Sequence, residues 1–304
     1  MSDKKLVVIT GASSGIGEEC AKVFSARGHP LLLLARRVER MEALKLPKTM
    51  CKKVNVTDRD ALVAAVKEAE AAYGPTDLLI NNAGLMQLDA FNSQKPTEWD
   101  NMVDVNIKGV NNGCHAVLQG MLDRECGTII NISSVAGRKL FHNHAVYCGT
   151  KFAVHAFSEG LREECAPKNV RVCVIAPGAV ETELLSHTTN EAVKGGYEEW
   201  KQGMGGVLKS SDVADAAVYM YSAPQNVHIR EVVLTATKQG PCGNLMAKHH
   251  VCEKETQRPH PLRAGCWRDA GLSVSWSSLH LSVTSVSASN AKDPKRKPGA
   301  IHSD

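Results

Sequence analysis

The sequence lacks a hydrophobic run that could span a membrane, and its cysteines form no Cys-x-x-Cys pair. A membrane helix needs about 18 or more apolar residues, and the apolar stretch nearest the N-terminus, Leu6–Thr10, is far shorter. The ten cysteines are scattered through 304 residues, without the spacing of a zinc site or of a secreted disulfide framework. We therefore predict a soluble, cytoplasmic protein with free thiols, no membrane span and no metal site.

The first 240 residues also lack net charge. They hold 27 Lys and Arg residues against 27 Asp and Glu residues, whereas residues 241–304 hold nine against five. The formal charge of +4 therefore belongs to the C-terminal segment. Because the main body has no basic excess, we predict that it has no nucleic-acid partner.

Short apolar runs alternate with longer amphipathic stretches throughout the first 240 residues. The runs are bounded by Gly, Pro, Asn or Asp, as in buried parallel strands. We predict strands at 6–10, 31–35, 53–56, 78–81, 128–132, 170–175 and 231–234, and helices at 15–27, 38–44, 58–73, 98–124, 145–166 and 211–222. This alternation predicts one α/β domain over residues 1–240, with a Rossmann-like doubly wound parallel sheet of about seven strands flanked by helices.

Two segments depart from this pattern. Residues 183–208 are polar and glycine-rich and follow the end of a predicted strand. We interpret them as a mobile lid over a site, with a solvated surface excursion as the alternative. Residues 241–304 lose the periodicity and are rich in Ser, His and Pro, so we predict a disordered basic tail.

The first strand leads into the sequence Thr-Gly-Ala-Ser-Ser-Gly-Ile-Gly, which opens the first helix. Glycines let the backbone approach a phosphate without an intervening Cβ, and a helix N-terminus offers free N–H groups to an anion. In a strand–turn–helix context this pattern predicts a dinucleotide site. The residues expected to bind the cofactor here are Gly11, Ser13, Ser14, Gly15, Ile16 and Gly17.

The end of the second predicted strand indicates which dinucleotide is bound. Ala35 stands where an NAD site usually carries an acid for the ribose 2′-OH, and Arg36 and Arg37 follow. Two guanidinium groups could bind a 2′-phosphate. We therefore predict NADP(H) as the preferred cofactor, with NAD(H) as the second choice. The alternative is that both arginines merely begin the next helix.

Tyr147 and Lys151 stand one helical turn apart, and Ser134 lies thirteen residues before the tyrosine. Residues four apart share a helix face, so the lysine could act on the same volume as the phenol. A free tyrosine has a pKa of about 10, and a nearby ammonium lowers it. Ser134 could hold a substrate carbonyl against the tyrosine. A surface tyrosine packed on a lysine stem is the alternative for the pair alone.

Together these motifs resemble the short-chain dehydrogenase/reductase family over about residues 4–240. Three further matches are Asn81–Gly84, the segment Asp104–Gly109 around Asn106, and Pro177–Gly178 with Thr182. The resemblance implies a catalytic set of Asn106, Ser134, Tyr147 and Lys151. It also implies cofactor contacts from Asn55, Val56, Asn82, Ala83, Gly84, Tyr147, Lys151, Pro177, Gly178, Val180 and Thr182. The chain departs from the family at Asn55, where an aspartate is frequent, although an amide can still accept from an adenine amino group.

The activity implied by the resemblance is hydride transfer between an alcohol and its carbonyl. Tyr147 would act as general acid and base, Lys151 would lower the tyrosine pKa and hold the nicotinamide ribose, and Asn106 would hold a proton-relaying water. With its arginine pair after the second strand, the chain resembles one branch of the family. That branch includes 3-hydroxy-acid or serine dehydrogenases, farnesol dehydrogenases and keto-reductases. Pairing of the helices near 98–124 and 145–166 in a homodimer or homotetramer is also implied.

The residues that line the substrate pocket are the hardest to predict from the sequence. Candidate lining residues are Leu85, Lys139, Phe141, His142, Tyr197 and Trp200, with ordinary loop surface as the alternative for each. A small-molecule alcohol or carbonyl compound is the expected substrate. The competing function is a cofactor-binding sensor or scaffold protein without turnover.

Overall fold

Seven parallel strands form one sheet in the order β3-β2-β1-β4-β5-β6-β7. The computed structural model describes residues 4–240, so the predicted disordered tail at 241–304 lies outside the described residues and the domain boundary at 240 stays a prediction. The strands are β1 Leu6–Thr10, β2 Leu31–Ala35, β3 Thr49–Lys53, β4 Thr76–Asn81, β5 Gly127–Ile132, β6 Val170–Pro177 and β7 Glu231–Leu234. The strand order reverses between β1 and β4, which makes the sheet doubly wound and confirms the predicted fold class.

Helices cover both faces of this sheet. They are α1 Gly15–Ala26, α2 Val38–Glu42, α3 Arg59–Tyr73, α4 Pro96–Val103, α5 Gly109–Asp123, α6 Ala145–Cys165, α7 Glu191–Gly203 and α8 Ser210–Ser222. None of the helices within residues 4–240 has the length and apolarity needed to cross a membrane.

Two hydrophobic cores lie on opposite faces of the sheet because neighbouring strand residues point in opposite directions. Val8 of β1 packs with α3, α5 and α6 on one face, whereas Val7 packs with α1 and α8 on the other. Strands buried on both faces require continuous apolar runs, and all five residues of both β1 and β2 are buried. This is why their bounds were predicted without error.

Two predicted elements were placed wrongly. β3 occupies Thr49–Lys53 instead of 53–56, because its half-buried edge residues are recognisable only through their pairing with β2. Val54 and Val56 belong to the following loop and pack into the core. The single helix predicted at 98–124 begins at Pro96 and is divided into α4 and α5 by a π-helical turn, Asp104–Lys108.

The segment predicted as a lid or surface excursion is largely helical. A 3-10 turn covers Glu183–His187, and α7 follows. Asn190 caps α7 by accepting from the N–H groups of Ala192 at 3.1 Å and Val193 at 3.2 Å. An N-cap asparagine is a strong start signal, and the glycines of this segment concealed the helix. Whether the segment moves as a lid stays a prediction.

A chain of buried amides ties the two central strands to α6. Asn81 Nδ2 of β4 donates to Asn131 Oδ1 of β5 at 2.9 Å, and Asn131 Nδ2 donates to Ser158 Oγ of α6 at 2.8 Å. Ser158 Oγ in turn donates to the Val154 carbonyl at 2.6 Å. Buried polar groups are stable only when they are paired, so this network fixes the position of α6 against the sheet.

Replacing Asn131 by Ala should remove two bonds from this network and leave buried polar groups unpaired. We expect the free energy of unfolding to fall by about 2–4 kcal/mol, measured by urea denaturation. Asn92→Ala, in an exposed loop, is the control and should change stability by less than about 0.5 kcal/mol. Equal stability of the two variants would show that the network does not hold α6.

Candidate active site

A glycine-rich turn joins β1 to α1 at positions where no side chain fits. Gly11 and Gly15 have φ angles of 65° and 57°, a left-handed conformation that glycine adopts easily. A Cβ atom on Gly17 would lie 2.4 Å from the Gly11 carbonyl oxygen and 2.5 Å from Asn82 Nδ2. The absence of a side chain therefore lets α1 begin directly against the turn. Gly15 and Ile16 line the crevice there, where a helix N-terminus favours an anion.

Asn82 fastens this turn to the end of β4. Its Nδ2 donates to the carbonyl oxygens of Thr10 at 3.0 Å and Gly11 at 3.1 Å. The Thr10 hydroxyl accepts from the backbone N–H groups of Asn82 at 3.0 Å and Ala83 at 3.1 Å. A Cβ atom on Gly11 would lie 2.7 Å from Cα of Ala83. The turn and the segment after β4 therefore form one continuous wall.

One cavity of about 690 Å³ runs along the carboxyl ends of the strands, within the volume range of small-ligand sites, roughly 300–1,000 Å³. The predicted site residues that line it are Gly11, Ser13, Ser14, Gly15, Ile16, Arg36, Arg37, Asn55, Val56, Asn82, Ala83, Gly84, Ser134, Tyr147, Lys151, Pro177, Gly178, Val180 and Thr182. Gly17 and Asn106 lie behind this surface. In the described part of the chain, no three His, Cys, Asp or Glu side chains are grouped so that they could hold a metal ion.

Tyr147 and Lys151 lie on the same face of α6, and both are buried, with 5% and 6% exposure. Lys151 Nζ donates to the Ile132 carbonyl at 3.0 Å and lies 5.8 Å from the centre of the Tyr147 ring. Ser134 Oγ accepts from the Ala136 N–H at 3.0 Å, which orients the hydroxyl at the start of a 3-10 turn. All three predicted side chains border the same cavity.

The pKa of Tyr147 is raised in the structure, and not lowered as expected. Burial raises the pKa of Tyr147 well above its ordinary value, and the hydrogen bond with Ser134 opposes this rise only in part. Burial also lowers the pKa of Lys151 from 10.5 to about 8. Both shifts have one cause, since removal from water disfavours the charged form of either group. At neutral pH the tyrosine is therefore a phenol with a proton to donate.

Asn106 lies in the π-helical turn between α4 and α5. Its Oδ1 accepts from the Leu85 N–H at 2.8 Å, and its Nδ2 donates to the Leu85 carbonyl at 2.9 Å and to Thr150 Oγ1 at 3.0 Å. A Cβ atom on Gly84 would lie 3.6 Å from Asn106 Oδ1 and 3.8 Å from Lys151 Nζ. Both side chains therefore lie close to Gly84, and Asn106 fixes the backbone that follows β4.

Arg36 and Arg37 differ in their surroundings. Arg37 Nη2 donates to Ser14 Oγ at 2.9 Å and to Ser13 Oγ at 3.4 Å, while its Nη1 pairs with Glu183 Oε2 at 2.8 Å. Arg36 is exposed and forms no hydrogen bond or ion pair within residues 4–240. Glu183 could not be predicted as a partner of Arg37, because the two residues are 146 positions apart in the chain.

Asn55 and Val56 follow β3 and border the same end of the cavity as the arginines. Asn55 Oδ1 accepts from the Thr57 N–H at 3.2 Å. The Val56 carbonyl accepts from Asn112 Nδ2 at 2.9 Å, which ties this loop to α5. The Asn55 amide oxygen has a second lone pair, so it can still accept a hydrogen bond from a ligand.

The part of the cavity beside Tyr147 is aromatic. Phe141, Tyr197 and Trp200 line it, together with Leu85. Lys139 and His142, the other two predicted pocket residues, do not. Lys139 Nζ instead lies over the Phe141 ring, 4.9 Å from its centre. The structure therefore places neither predicted cationic residue on the cavity wall.

His144 also lines this aromatic part of the cavity, and it was not among the residues predicted from the sequence. Its ring centre lies 6.3 Å from that of Tyr147 and 6.1 Å from that of Tyr197. Nδ1 bonds the His142 carbonyl at 2.5 Å and must be the donor, because a carbonyl only accepts. Burial lowers the His144 pKa, so the neutral ring offers Nε2 as an acceptor. The available signal was its position, three residues before the tyrosine and directly before the predicted helix.

The short chain dehydrogenase family profile matches residues 5–192. An uncharacterized oxidoreductase of Staphylococcus saprophyticus is 42% identical over 241 residues, which cover 77% of this chain and 97% of that protein. A closed form of serine dehydrogenase complexed with NADP+ superposes with a TM-score of 0.71 at 31% identity, covering 78% of this chain and 97% of the other. The 3-ketoacyl-(acyl-carrier-protein) reductase from Brucella melitensis complexed with NADH has a TM-score of 0.69 at 26% identity, covering 78% and 98%.

Replacing Lys151 by Met should change how stability depends on pH. The folded-state pKa of Lys151, about 8, lies below its ordinary value of 10.5. The buried ammonium therefore costs stability below pH 8, and this cost fades as the pH rises toward 10.5. Between pH 7 and pH 10 we expect wild type to gain up to about 3 kcal/mol over Lys151→Met, measured by urea unfolding. Lys67→Met, on an exposed position of α3, should show no such gain, and a constant Lys151→Met difference would contradict the burial argument.

Proposed function

Since the chain belongs to the short chain dehydrogenase family, we propose that it interconverts a primary or secondary alcohol and the corresponding carbonyl compound, with NADP(H) preferred over NAD(H). Family membership makes the protein an NAD(P)-dependent oxidoreductase. The main support for the proposed alcohol–carbonyl interconversion is that Ser134, Tyr147 and Lys151 border the same cavity as the glycine-rich turn. A substrate oxygen at Tyr147 and a cofactor along the turn would thus share one enclosed space.

The crevice suits a dinucleotide for steric and electrostatic reasons. The turn has no space for a Cβ at Gly11 or Gly17, and the start of α1 offers a favourable field to a pyrophosphate. The residues expected to hold the nicotinamide end are Pro177, Gly178, Val180 and Thr182, and those expected at the adenosine end are Arg36, Arg37, Asn55, Val56, Asn82, Ala83 and Gly84. A bound nicotinamide supplies or accepts the hydride.

Tyr147 is the proposed general acid and base. In reduction, the phenol donates its proton to the substrate oxygen as negative charge develops there, and in oxidation the phenolate accepts a proton. Burial keeps the proton on the phenol at neutral pH, which favours its use as a donor. The Ser134 hydroxyl would donate a second hydrogen bond to the same oxygen and so orient the carbonyl carbon.

Lys151 and Asn106 are proposed to hold and pass protons behind the tyrosine. Lys151 has a pKa of about 8, so it exchanges a proton more readily at neutral pH than an ordinary lysine. Both side chains approach Gly84, and a water between them is the simplest connection. Lys151 Nζ has three donor positions, of which one is used by Ile132, and the others could reach the nicotinamide ribose.

The competing proposal is a sensor or scaffold protein that binds NADP(H) without turnover. A protein that only binds the cofactor would not need a buried phenol and a buried ammonium at a second part of the cavity. A screen of carbonyl compounds and alcohols with NADPH, NADH and their oxidised forms separates the two functions. Cofactor binding without turnover of any compound would favour the sensor.

We also propose that the protein acts in the cytoplasm as a homodimer or homotetramer. The support is the family's use of the helices equivalent to α5 and α6 for assembly. Phe152 on α6 is 41% exposed, which is costly for an aromatic side chain in water. Sedimentation of the full chain would measure the oligomeric state.

Replacing Tyr147 by Phe should remove the proton donor and leave the cavity shape unchanged. We expect turnover to fall by about 10²- to 10⁴-fold, the usual value of general acid catalysis, while NADPH still binds. Tyr219→Phe, at a position that is 65% exposed on α8, is the matched control and should retain full activity. Turnover by Tyr147→Phe near the wild-type rate would eliminate the proposed role.

Replacing Arg36 by Gln should weaken NADPH binding selectively. Arg36 has no competing partner within residues 4–240, so its guanidinium is free for a 2′-phosphate. Loss of a charge-assisted contact should raise the NADPH dissociation constant by about 10- to 100-fold, with little change for NADH, as measured by nicotinamide fluorescence. Arg27→Gln, at the exposed end of α1, is the control. An equal effect on both cofactors would contradict the assignment.

A further inference from the structure

A carboxylate occupies the rim of the cavity at the proposed 2′-phosphate position. Glu183 begins the 3-10 turn that follows Thr182, and its two oxygens bridge two arginines beyond β2. Oε2 pairs with Arg37 Nη1 at 2.8 Å, and Oε1 pairs with Arg40 Nη1 at 2.7 Å. These contacts join the 3-10 turn after β6 to Arg37, which precedes α2, and to Arg40 within α2.

The Arg37 guanidinium is shared between this carboxylate and the glycine-rich turn. Its Nη2 donates to the hydroxyls of Ser14 and Ser13. Both terminal nitrogens of Arg37 therefore already have partners, Nη2 on the turn and Nη1 on Glu183. Arg36, the neighbouring guanidinium, has no such partner within residues 4–240. An incoming phosphate therefore meets one free arginine and one whose charge is partly offset by a carboxylate that it shares with Arg40.

The bridge is ionised under all ordinary conditions. The two guanidinium groups hold the pKa of Glu183 at about 2, well below its ordinary 4.5. A permanent negative charge at this position repels a 2′-phosphate and competes with it for Arg37. A ribose with a free 2′-OH carries no charge at that point, so it experiences neither effect.

We propose that Glu183 is a cofactor-selectivity residue, which competes with the 2′-phosphate of NADP(H) for Arg37 and so reduces the preference for NADP(H) that the arginines alone would produce. This inference rests on the proposed function, because it assumes a nicotinamide dinucleotide in the groove. The negative charge of Glu183 opposes the NADP(H) preference that was predicted from Arg36 and Arg37. The cofactor preference is then the balance between Arg36 and Glu183.

The test is the binding of NADPH and NADH to wild type and Glu183→Gln, measured by nicotinamide fluorescence on the full chain. The glutamine keeps the size of the side chain and removes its charge. Exposed charges about 4 Å apart interact by roughly 1 kcal/mol, or about fivefold in a binding constant. We therefore expect the NADPH dissociation constant to fall about fivefold or more, and the NADH constant to change by less than twofold.

Glu181→Gln is the matched control, since Glu181 is an exposed carboxylate on the same loop whose side chain pairs with no residue in the described part of the chain. This variant loses the same charge and should leave the ratio of the two dissociation constants unchanged. A selective gain by Glu183→Gln that weakens as salt is added would support competition at Arg37, because salt screens exposed charges.

Other outcomes overturn the inference. Weaker NADPH binding by Glu183→Gln would mean that the carboxylate positions Arg37 for the phosphate, and an unchanged ratio would mean that it has no influence. In both cases wild type still binds a cofactor and the proposed function stands. Failure of wild type to bind either NADPH or NADH would instead remove the proposed function, and this inference with it.

Discussion

The close approach of three backbone segments at the carboxyl ends of β1 and β4 is the constraint on which the site depends. Gly11, Gly17 and Ala83 lie so near one another that a single added Cβ would overlap backbone atoms. If α1 were displaced to make room, Asn82 could no longer reach the Thr10 and Gly11 carbonyls. The wall of the crevice would then open, and the start of α1 would no longer lie beside the space where an anion is expected.

Charge is controlled differently inside the cavity and at its rim. Tyr147 and Lys151 are buried, and loss of hydration pushes both toward their neutral forms. At the rim, Arg37 and Arg40 stay in water and lower the pKa of Glu183 through direct contact. Desolvation is barely affected by salt, whereas exposed ion pairs are screened. The ion pairs at the rim should therefore weaken as ionic strength rises, while the protonation states of Tyr147 and Lys151 should change little.

The sequence predicted the architecture well because the central strands are buried on both faces. β1 and β2 are continuous apolar runs, and such runs have few alternatives to a strand. β3 was misplaced because an edge strand is half solvated and its identity depends on pairing with Leu31–Ala35. Among the site residues, those on contiguous motifs were selected, whereas Glu183 was missed because only the folded chain brings it to Arg37. The Tyr147 pKa is raised and not lowered as expected, because the extent of burial cannot be inferred from residue spacing.

The two ends of the cavity are built differently. This explains why the glycine-rich end could be predicted from the sequence and the aromatic end beside Tyr147 could not. At the cofactor end, backbone contacts determine the shape, so only glycine is tolerated at key positions and the sequence pattern is narrow. Beside Tyr147, the wall consists of the side chains of Phe141 and His144, which lie in the loop before α6, and of Tyr197 and Trp200, which lie in α7. Side chains on these elements can change without disturbing the turn at Gly17. The aromatic end of the cavity can therefore vary while the backbone at the glycine-rich end keeps its shape.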